Sequence, residues 1–505
     1  MNKRSLWISA GASLLAAMAL AGCGSSVYFA GRILPPSGIL NRVMIAIQNT
    51  GPGGGGALEI VDAYYDIRSS YNGGSGVFTV SGYSGQLPIS IQNLPDQQKG
   101  AVYNEGGSPS LALVDYQSEA AGTAGGLGGY PASSIFITRS GTWVFAAGQT
   151  SHQLIIAGQF NSHSYGLGLP GIYRVSVSPG GSVVLAFVQN SPYVYYPRQL
   201  TGAQTIAFSG GSATWPKAAV DCEPQNAPAW CLFQAQSPDH VDSTGNTYGA
   251  PLVFDHPDKA VFSADGSTAY VLNCGPECGG TASSVSLLPT APMIYTPGQQ
   301  SGLMPTAAAL SSTCGPSGST NGCTIPVPDG ASNALVDGSL MYVVGQKLMP
   351  DGYWGGYLTR LDLNANALVP PTGASPNPVS ISDGTPGGQS RLIEADDNTL
   401  WIGMTKCTTG ERYNNPATYP GGYGCLTMFN TSTKSVTMLE PYIGDATGIA
   451  DVEGLHKIYV VEGGQVYIYK TTDGTSMDNQ YVAVTGTAWD VAYMDGTSDA
   501  NNTVY

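Results

Sequence analysis

AVFSADGSTAYVLN, residues 260–273, holds two alternating apolar runs on either side of Asp265-Gly266. That pair suits the tight turn of a β-hairpin, because glycine reaches positive φ freely and aspartate bonds its own backbone. The plan recurs along the chain. SIFITRSGTWVFAAG (134–148), IYRVSVSPGGSVVLAFVQN (172–190), ALVDGSLMYVVG (334–345), RLIEADDNTLWIG (391–403) and GIADVEGLHKIYVVEGG (448–464) each read strand, polar turn, strand. A third strand with its own turn often follows, as in YLTRLDLNANAL from Tyr357, CLTMFNTSTKSVT from Cys425 and QVYIYKTTDGTSM from Gln465.

Hairpins of three to four strands, repeated at uneven intervals of roughly 40 to 85 residues, are the pattern of propeller blades with insertions. A β-sandwich would not need so many similar hairpins. The two ends complete the argument. AWDVAYMDG (488–496) opens a blade and does not finish it, while RVMIAIQN (42–49) and ALEIVDAYYD (57–66) read as later strands of one. Strands from both termini are therefore expected to share a blade, closing the ring and shielding its sheet edges. The expected fold is all-β, a propeller of seven or eight blades. Residues 260–273 also resemble the YVTN-type (lactonase-like) β-propeller repeat, with Tyr270-Val271-Leu272-Asn273 in the place of its name-giving tetrapeptide. The resemblance implies the same architecture, in which seven blades are commoner than eight, with any catalytic residues around the central channel.

Lys3 and Arg4 precede an apolar run over residues 6–21, which ends in Leu20-Ala21-Gly22-Cys23. The run is too short and too soon followed by small residues to be read as a spanning helix. Its end resembles the lipobox of bacterial lipoproteins, which implies cleavage before Cys23 and acylation of that cysteine. Residues 1–22 are then a signal peptide, 23–40 a lipidated tether and 41–505 one propeller domain. Glycine rather than aspartate at position 24 favours the outer membrane over the inner one. The expected location is the bacterial cell envelope, with the bilayer reached through the lipid.

Nine cysteines less Cys23 leave eight, an even number suited to an oxidising compartment. They fall in sequence-local couples: Cys222 with Cys231, Cys274 with Cys278, Cys314 with Cys323, and Cys407 with Cys425. Four loop-closing disulfides are the simplest connectivity. Only Cys274 and Cys278 approach a zinc-knuckle spacing, and they lack a second knuckle, so no metal is expected.

The 505 residues carry a formal net charge of −15, and only 10% of them are charged. An acidic chain with so few cations is a poor match for nucleic acid, whose phosphates need clustered Lys and Arg. With 42% hydrophobic residues there is material for a core, and wholesale disorder is excluded. Sparse charge also fits an acidic habitat, where fewer titrating groups limit acid unfolding.

Chemistry is harder to place. Nucleophile elbows, Walker loops and HExxH helices are missing from the sequence. His152 with His163, or His240 and His256 with Asp242, could meet around a metal, although loop histidines are more often structural. Asp396-Asp397-Asn398 and residues 499–502 (DANN) look like calcium loops but lack EF-hand spacing, and sit where hairpin turns are expected. The tract Gly51-Pro52-Gly53-Gly54-Gly55-Gly56 leads into a strand, so no helix dipole is there to hold phosphate. The clearest hint of binding is tyrosine on loop-like segments: Tyr193, Tyr195 and Tyr196, then Tyr413, Tyr419 and Tyr423. Exposed tyrosines give rigid contact area to glycans or proteins. The alternative is that they cover blade edges, since tyrosine is a common strand residue.

These readings lead to a lipid-anchored envelope propeller, without cofactor, that binds a protein or polysaccharide partner and is not catalytic. The alternative is a propeller enzyme of lactonase-like or quinoprotein type with its site in the central channel.

Overall fold

The hairpin at 260–273 forms around its turn. Asp265 Oδ1 accepts the Ser267 amide (3.0 Å) and the Ser263 hydroxyl (2.6 Å), Gly266 takes φ +70°, and Phe262 pairs with Ala269. These bonds hold the Asp265 carboxyl down at about 2. The computed structural model describes residues 35–496 except 50–54, 69–77, 107, 128, 141, 159–163, 201–207, 210–211, 214–217, 224–229, 237–239, 242–246, 297–298, 300–322, 351, 374, 384–387, 406, 408–424 and 440–442.

Eight antiparallel sheets follow one another around an axis, making an eight-bladed β-propeller, and only short 3-10 turns break the strands among the described residues. Blades 2 to 8 start at their inner strands: Pro88–Leu94, Ser134–Ile137, Ile172–Val177, Pro257–Phe262, Asn333–Asp337, Arg391–Ala395 and Ala446–Val452. Blade 1 takes its inner strand, Thr487–Tyr493, from the C-terminal end and its next three, Arg42–Gln48, Gly56–Asp62 and Phe78–Thr79, from the N-terminal end. The ring is thus closed as the ends of the sequence imply. Val43 pairs with Tyr493, and Ala46 with Asp490.

Strand Arg42–Gln48 shows why these strands are apolar throughout. Val43, Ile45 and Ile47 pack against blade 8, with Ala450, Tyr459 and Val461, while Met44 and Ala46 pack against blade 2, with Ile91, Val102 and Val114. Each sheet is buried on both faces, so alternation gives way to a continuous run. At its start, Arg42 is fixed by Glu119 (3.0 Å) and Asp495 (2.6 Å), with all three side chains nearly inaccessible to water. Glu119 also accepts the amide (2.8 Å) and hydroxyl (2.6 Å) of Ser37, so the segment entering the ring is tied to blade 2.

Inner strands of neighbouring blades do not share a ladder, and side chains stitch them instead. Asp490 Oδ2 accepts the Ile91 amide (2.7 Å), Gln92 exchanges two bonds with Ile137, Ser134 Oγ accepts Val175 N (3.2 Å), and Ser176 Oγ accepts Ala260 N (3.1 Å). Between blades 8 and 1, Lys457 Nζ donates to Ala63 O (2.7 Å) and to Asp66 (2.8 Å). Entry to the inner strands is also stereotyped. Leu87, Gly171, His256 and Gly486, each just before an inner strand, all have positive φ.

Among the described residues three disulfides are complete: Cys222–Cys231, Cys274–Cys278 and Cys407–Cys425, with Cα separations of 4.0, 5.7 and 5.6 Å. Cys323 is also disulfide-bonded, and Cys314, its expected partner, lies outside the described residues. This cysteine usage is that of an extracytoplasmic protein. No helix among the described residues is long and apolar enough to cross a membrane.

Candidate functional site at the channel entrance

Adjacent strands are antiparallel, so two sets of connections emerge on one face of the ring: those entering the inner strands, and those joining each blade's second and third strands. This entry face carries the 274–283 connection with its disulfide and the connection from Gly403 to Leu426, whose ends are bridged by Cys407–Cys425. Tyr193 lies there in the turn between Val184–Val188 and Val194–Gln199. Asp255 accepts the amides of Thr281 (2.9 Å) and Ala282 (2.6 Å), and Glu277 accepts that of Gln346 (3.0 Å), so the 274–283 loop is held to its neighbours.

At the same level the first residues of the inner strands bring charge to the channel wall. Extra residues bulge from several of these strands at the same place: Ile89, Tyr173, Asp258, Thr447 and Trp489 each fall at a register shift. A bulge re-aims the side chains beside it. Arg174 and Lys259 directly follow two of them.

Arg174 Nη1 bonds Asp258 Oδ2, and Tyr173 donates its phenol to Asp258 Oδ1 (2.7 Å). Lys259 Nζ donates to Asn333 Oδ1 (2.7 Å), and Asn333 Nδ2 donates to the carbonyls of Gln389 and Ser390 (both 3.2 Å). Arg391 Nε donates to Thr447 O (2.5 Å). Arg174, Lys259, Asn333 and Arg391 therefore form an arc over four consecutive blades, 4 to 7. Asp490 of blade 1 faces it from the far side, close enough to feel Arg391.

Lys259 is enclosed by protein yet only half-buried from water, as befits a side chain in an open channel. Burial, then the neighbouring charges of Arg174 and Arg391, push its ammonium down to about 7 against the pull of Asp258. Burial raises the Asp490 carboxyl to about 6, opposed by Arg391 and by the amides of Ile91 and Val491. Beside the arc, a cleft of about 160 Å³ between blades 4 and 5 is lined by Tyr173, Gln189, Asn190, His256 and Asp258, among others.

The residues singled out from the sequence scatter. Tyr196 is buried and stacked on Phe233 (5.8 Å between ring centres), so its ring fills the core and offers no contact surface. Tyr193 and Tyr195 are half-buried, and Tyr413, Tyr419, Tyr423 and Cys23 lie outside the described residues. His152 is an exposed turn residue on the entry face; His163 and Asp242 lie outside the described residues, and of His240 only the backbone is described. His256 reaches the cleft with Nδ1 3.4 Å from Asp255.

Asp396-Asp397-Asn398 forms the expected hairpin turn on the opposite face; residues 499–502 are not described. There Asp396 Oδ2 accepts the amides of Gly454 (2.8 Å) and His456 (3.1 Å), while Asp397 takes the Thr471 hydroxyl (2.6 Å) and faces His456 Nδ1 (3.0 Å). The turn staples blade 7 to blade 8. Among the described residues two Cys–Cys–Asp groups have metal-like spacing, Cys274 and Cys278 with Asp258, and Cys407 and Cys425 with Asp445. Their thiols are spent in disulfides, which leaves no thiolate to bind an ion.

Sequence reasoning missed Arg174, Lys259, Asn333 and Arg391. One signal was available: Arg174, Lys259 and Arg391 each stand six residues before a turn residue, Gly180, Asp265 and Asp397, of a similar hairpin.

No protein-family model matches the chain, and no curated protein matches it. Solved structures do. The chain is similar to a dihydro-heme d1 dehydrogenase, NirN, in complex with DHE, at 10% identity over 91% of this chain and 76% of that one, with a TM-score of 0.49. It is similar also to the periplasmic gluconolactonase PpgL of Pseudomonas aeruginosa (14% identity, 90% and 98% covered, TM-score 0.41). A third is apo AztD from Citrobacter koseri (9% identity, 90% and 98% covered, TM-score 0.43).

Proposed function

We propose that this protein is a non-catalytic binding propeller of the bacterial cell envelope, held to a membrane by a lipid on Cys23, that engages a protein or glycan partner through its entry face. One observation carries the reading. The entry face gathers the disulfide-bearing connections of blades 5 and 7 around a channel mouth whose charged side chains are already bonded across blade junctions. Such bonds preorganise the side chains of the channel mouth, and preorganised groups lose little entropy on binding. The lipobox-like Leu20-Ala21-Gly22-Cys23 supports the anchor, and the outer membrane is the favoured site.

The test is capture of partners from detergent-solubilised envelopes by the full chain, with radiolabelled palmitate reporting the lipid. A reproducible partner, and label lost on Cys23→Ala, are the expected results. Turnover of a substrate by the purified, partner-free protein would overturn the non-catalytic reading.

A second reading, an enzyme working in the channel, draws on Lys259. An amine held at about 7 is substantially neutral at physiological pH and able to act as a nucleophile or base. Hydrolysis of sugar lactones, lost in Lys259→Met, would select it.

A further inference from the structure

The charge along the channel is ordered. At the entry end the inner strands carry Arg174, Lys259 and Arg391 against Asp258 and the nearly inaccessible Asp490; toward the other end they carry Asp337, Glu394 and Asp451. A protein of net charge −15 thus turns three of its 19 Lys and Arg toward one small region. A narrow passage between protein walls strengthens the field of such charges. Such a field draws an anion to the entry end.

The donors are placed for it. Asn333 Oδ1 takes one hydrogen of the Lys259 ammonium, and among the described residues that ammonium has no other hydrogen-bond partner. Asp258 holds the Arg174 guanidinium through Nη1, leaving further N–H groups of the fork. The interblade bonds fix where these two donors start without exhausting them, which is the preorganisation that oxyanion recognition needs.

We propose that the entry end of the channel is an oxyanion-binding site, in which Arg174 and Lys259 hold a carboxylate or phosphate group of the ligand and Arg391 adds its charge. The proposal rests on the reading of the entry face as the binding face, and it names the chemistry recognised there. Asn333 and Asp258 are positioning residues. The oxyanion restores the charge balance that Arg174 and Arg391 upset at Lys259, so binding at pH 8 is coupled to proton uptake by that amine, with Asp258 the one acid beside it.

The experiment is titration calorimetry of the full-length protein at low salt with three probes: inorganic phosphate, citrate and polygalacturonate. Saturable binding by at least one probe is expected, weakened at least tenfold by Lys259→Met and by 0.5 M NaCl, and largely kept in Lys259→Arg. Proton uptake at pH 8, read from the dependence of the heat on buffer, is expected for the wild type and not for Lys259→Arg. Binding of phosphate or citrate alone assigns a small-molecule anion, and binding of the polymer alone assigns an acidic saccharide chain; either supports the site. Equal affinity in Lys259→Met, or no heat with any probe from protein that melts normally, overturns it. Partner capture repeated with Lys259→Met separates the two readings: capture without anion binding sinks the oxyanion site alone, and anion binding without any partner sinks the scaffold alone.

Discussion

Replacing Asp451 by asparagine should stabilise the protein at neutral pH and do little in acid. Asp451 is the penultimate residue of the inner strand of blade 8, is 8% exposed, and accepts the Asp396 amide at 3.4 Å. Burial, with the charges of Asp396, Glu453 and Asp397 nearby, raises its carboxyl from the usual 3.8 to about 7. The folded protein therefore binds this proton more tightly than the unfolded chain does. The associated stability is complete below the unfolded value near 4 and is lost as pH rises through about 7. About three units at 1.36 kcal/mol each put the loss at about 4 kcal/mol by pH 7.5 and about 1 kcal/mol at pH 4.5. Asparagine keeps the acceptor for Asp396 and cannot ionise, so any cost of the replacement itself is common to both pH values. The gain at pH 7.5 relative to pH 4.5 is then about 3 kcal/mol. For a chain of this length, unfolding entropy is about 1 kcal/mol per degree, so the melting temperatures should separate by about 3 °C. Differential scanning calorimetry of wild type and Asp451→Asn at both pH values measures it. A difference that does not change with pH would refute the reasoning. Asp490, raised to about 6, adds to the same trend, so the wild type is expected to be most stable in mild acid.

Ending the chain before Thr487 removes the inner strand of blade 1 and exposes the edge at Arg42–Gln48; the expected product is aggregated or rapidly proteolysed, which size-exclusion chromatography and limited trypsin digestion report. Gly448→Ala puts a Cβ 2.7 Å from Asp490 Cα and 2.9 Å from Val491 N, both backbone, so a loss of roughly 1–3 kcal/mol in denaturant unfolding is expected. Arg42→Met leaves Glu119 and Asp495 buried without their cation, at a cost of about 3–5 kcal/mol near neutrality. Melting curves of wild type and Arg42→Met near neutrality would show it.

Much of the architecture was legible because it is written locally. The Asp265-Gly266 turn, the sequence-near cysteine couples and the half-blades at the two ends each depend on residues close together, or on a repeat seen several times. Strand and turn chemistry act over a few residues, so a single chain displays them. Blade number was bounded at seven or eight and became eight only with the full pairing, because insertions make the period uneven.

The channel entrance was another matter. Arg174, Lys259, Asn333 and Arg391 lie far apart in sequence near the starts of their strands, and apart from the shared spacing of three of them to a hairpin turn nothing local separates them from surface charges. Closure of the ring brings them to one level and takes water from around Lys259 and Asp490. Tyr196 shows the converse, a ring that looked like a contact residue and packs on Phe233 because its strand faces the core there. Backbone preference and hydrophobic pattern decided that hairpins form and that they must stack. Which side chains meet, and at what charge, was decided by the axis around which they stack, since electrostatic energy depends on distances and enclosure that exist only after the ring has closed.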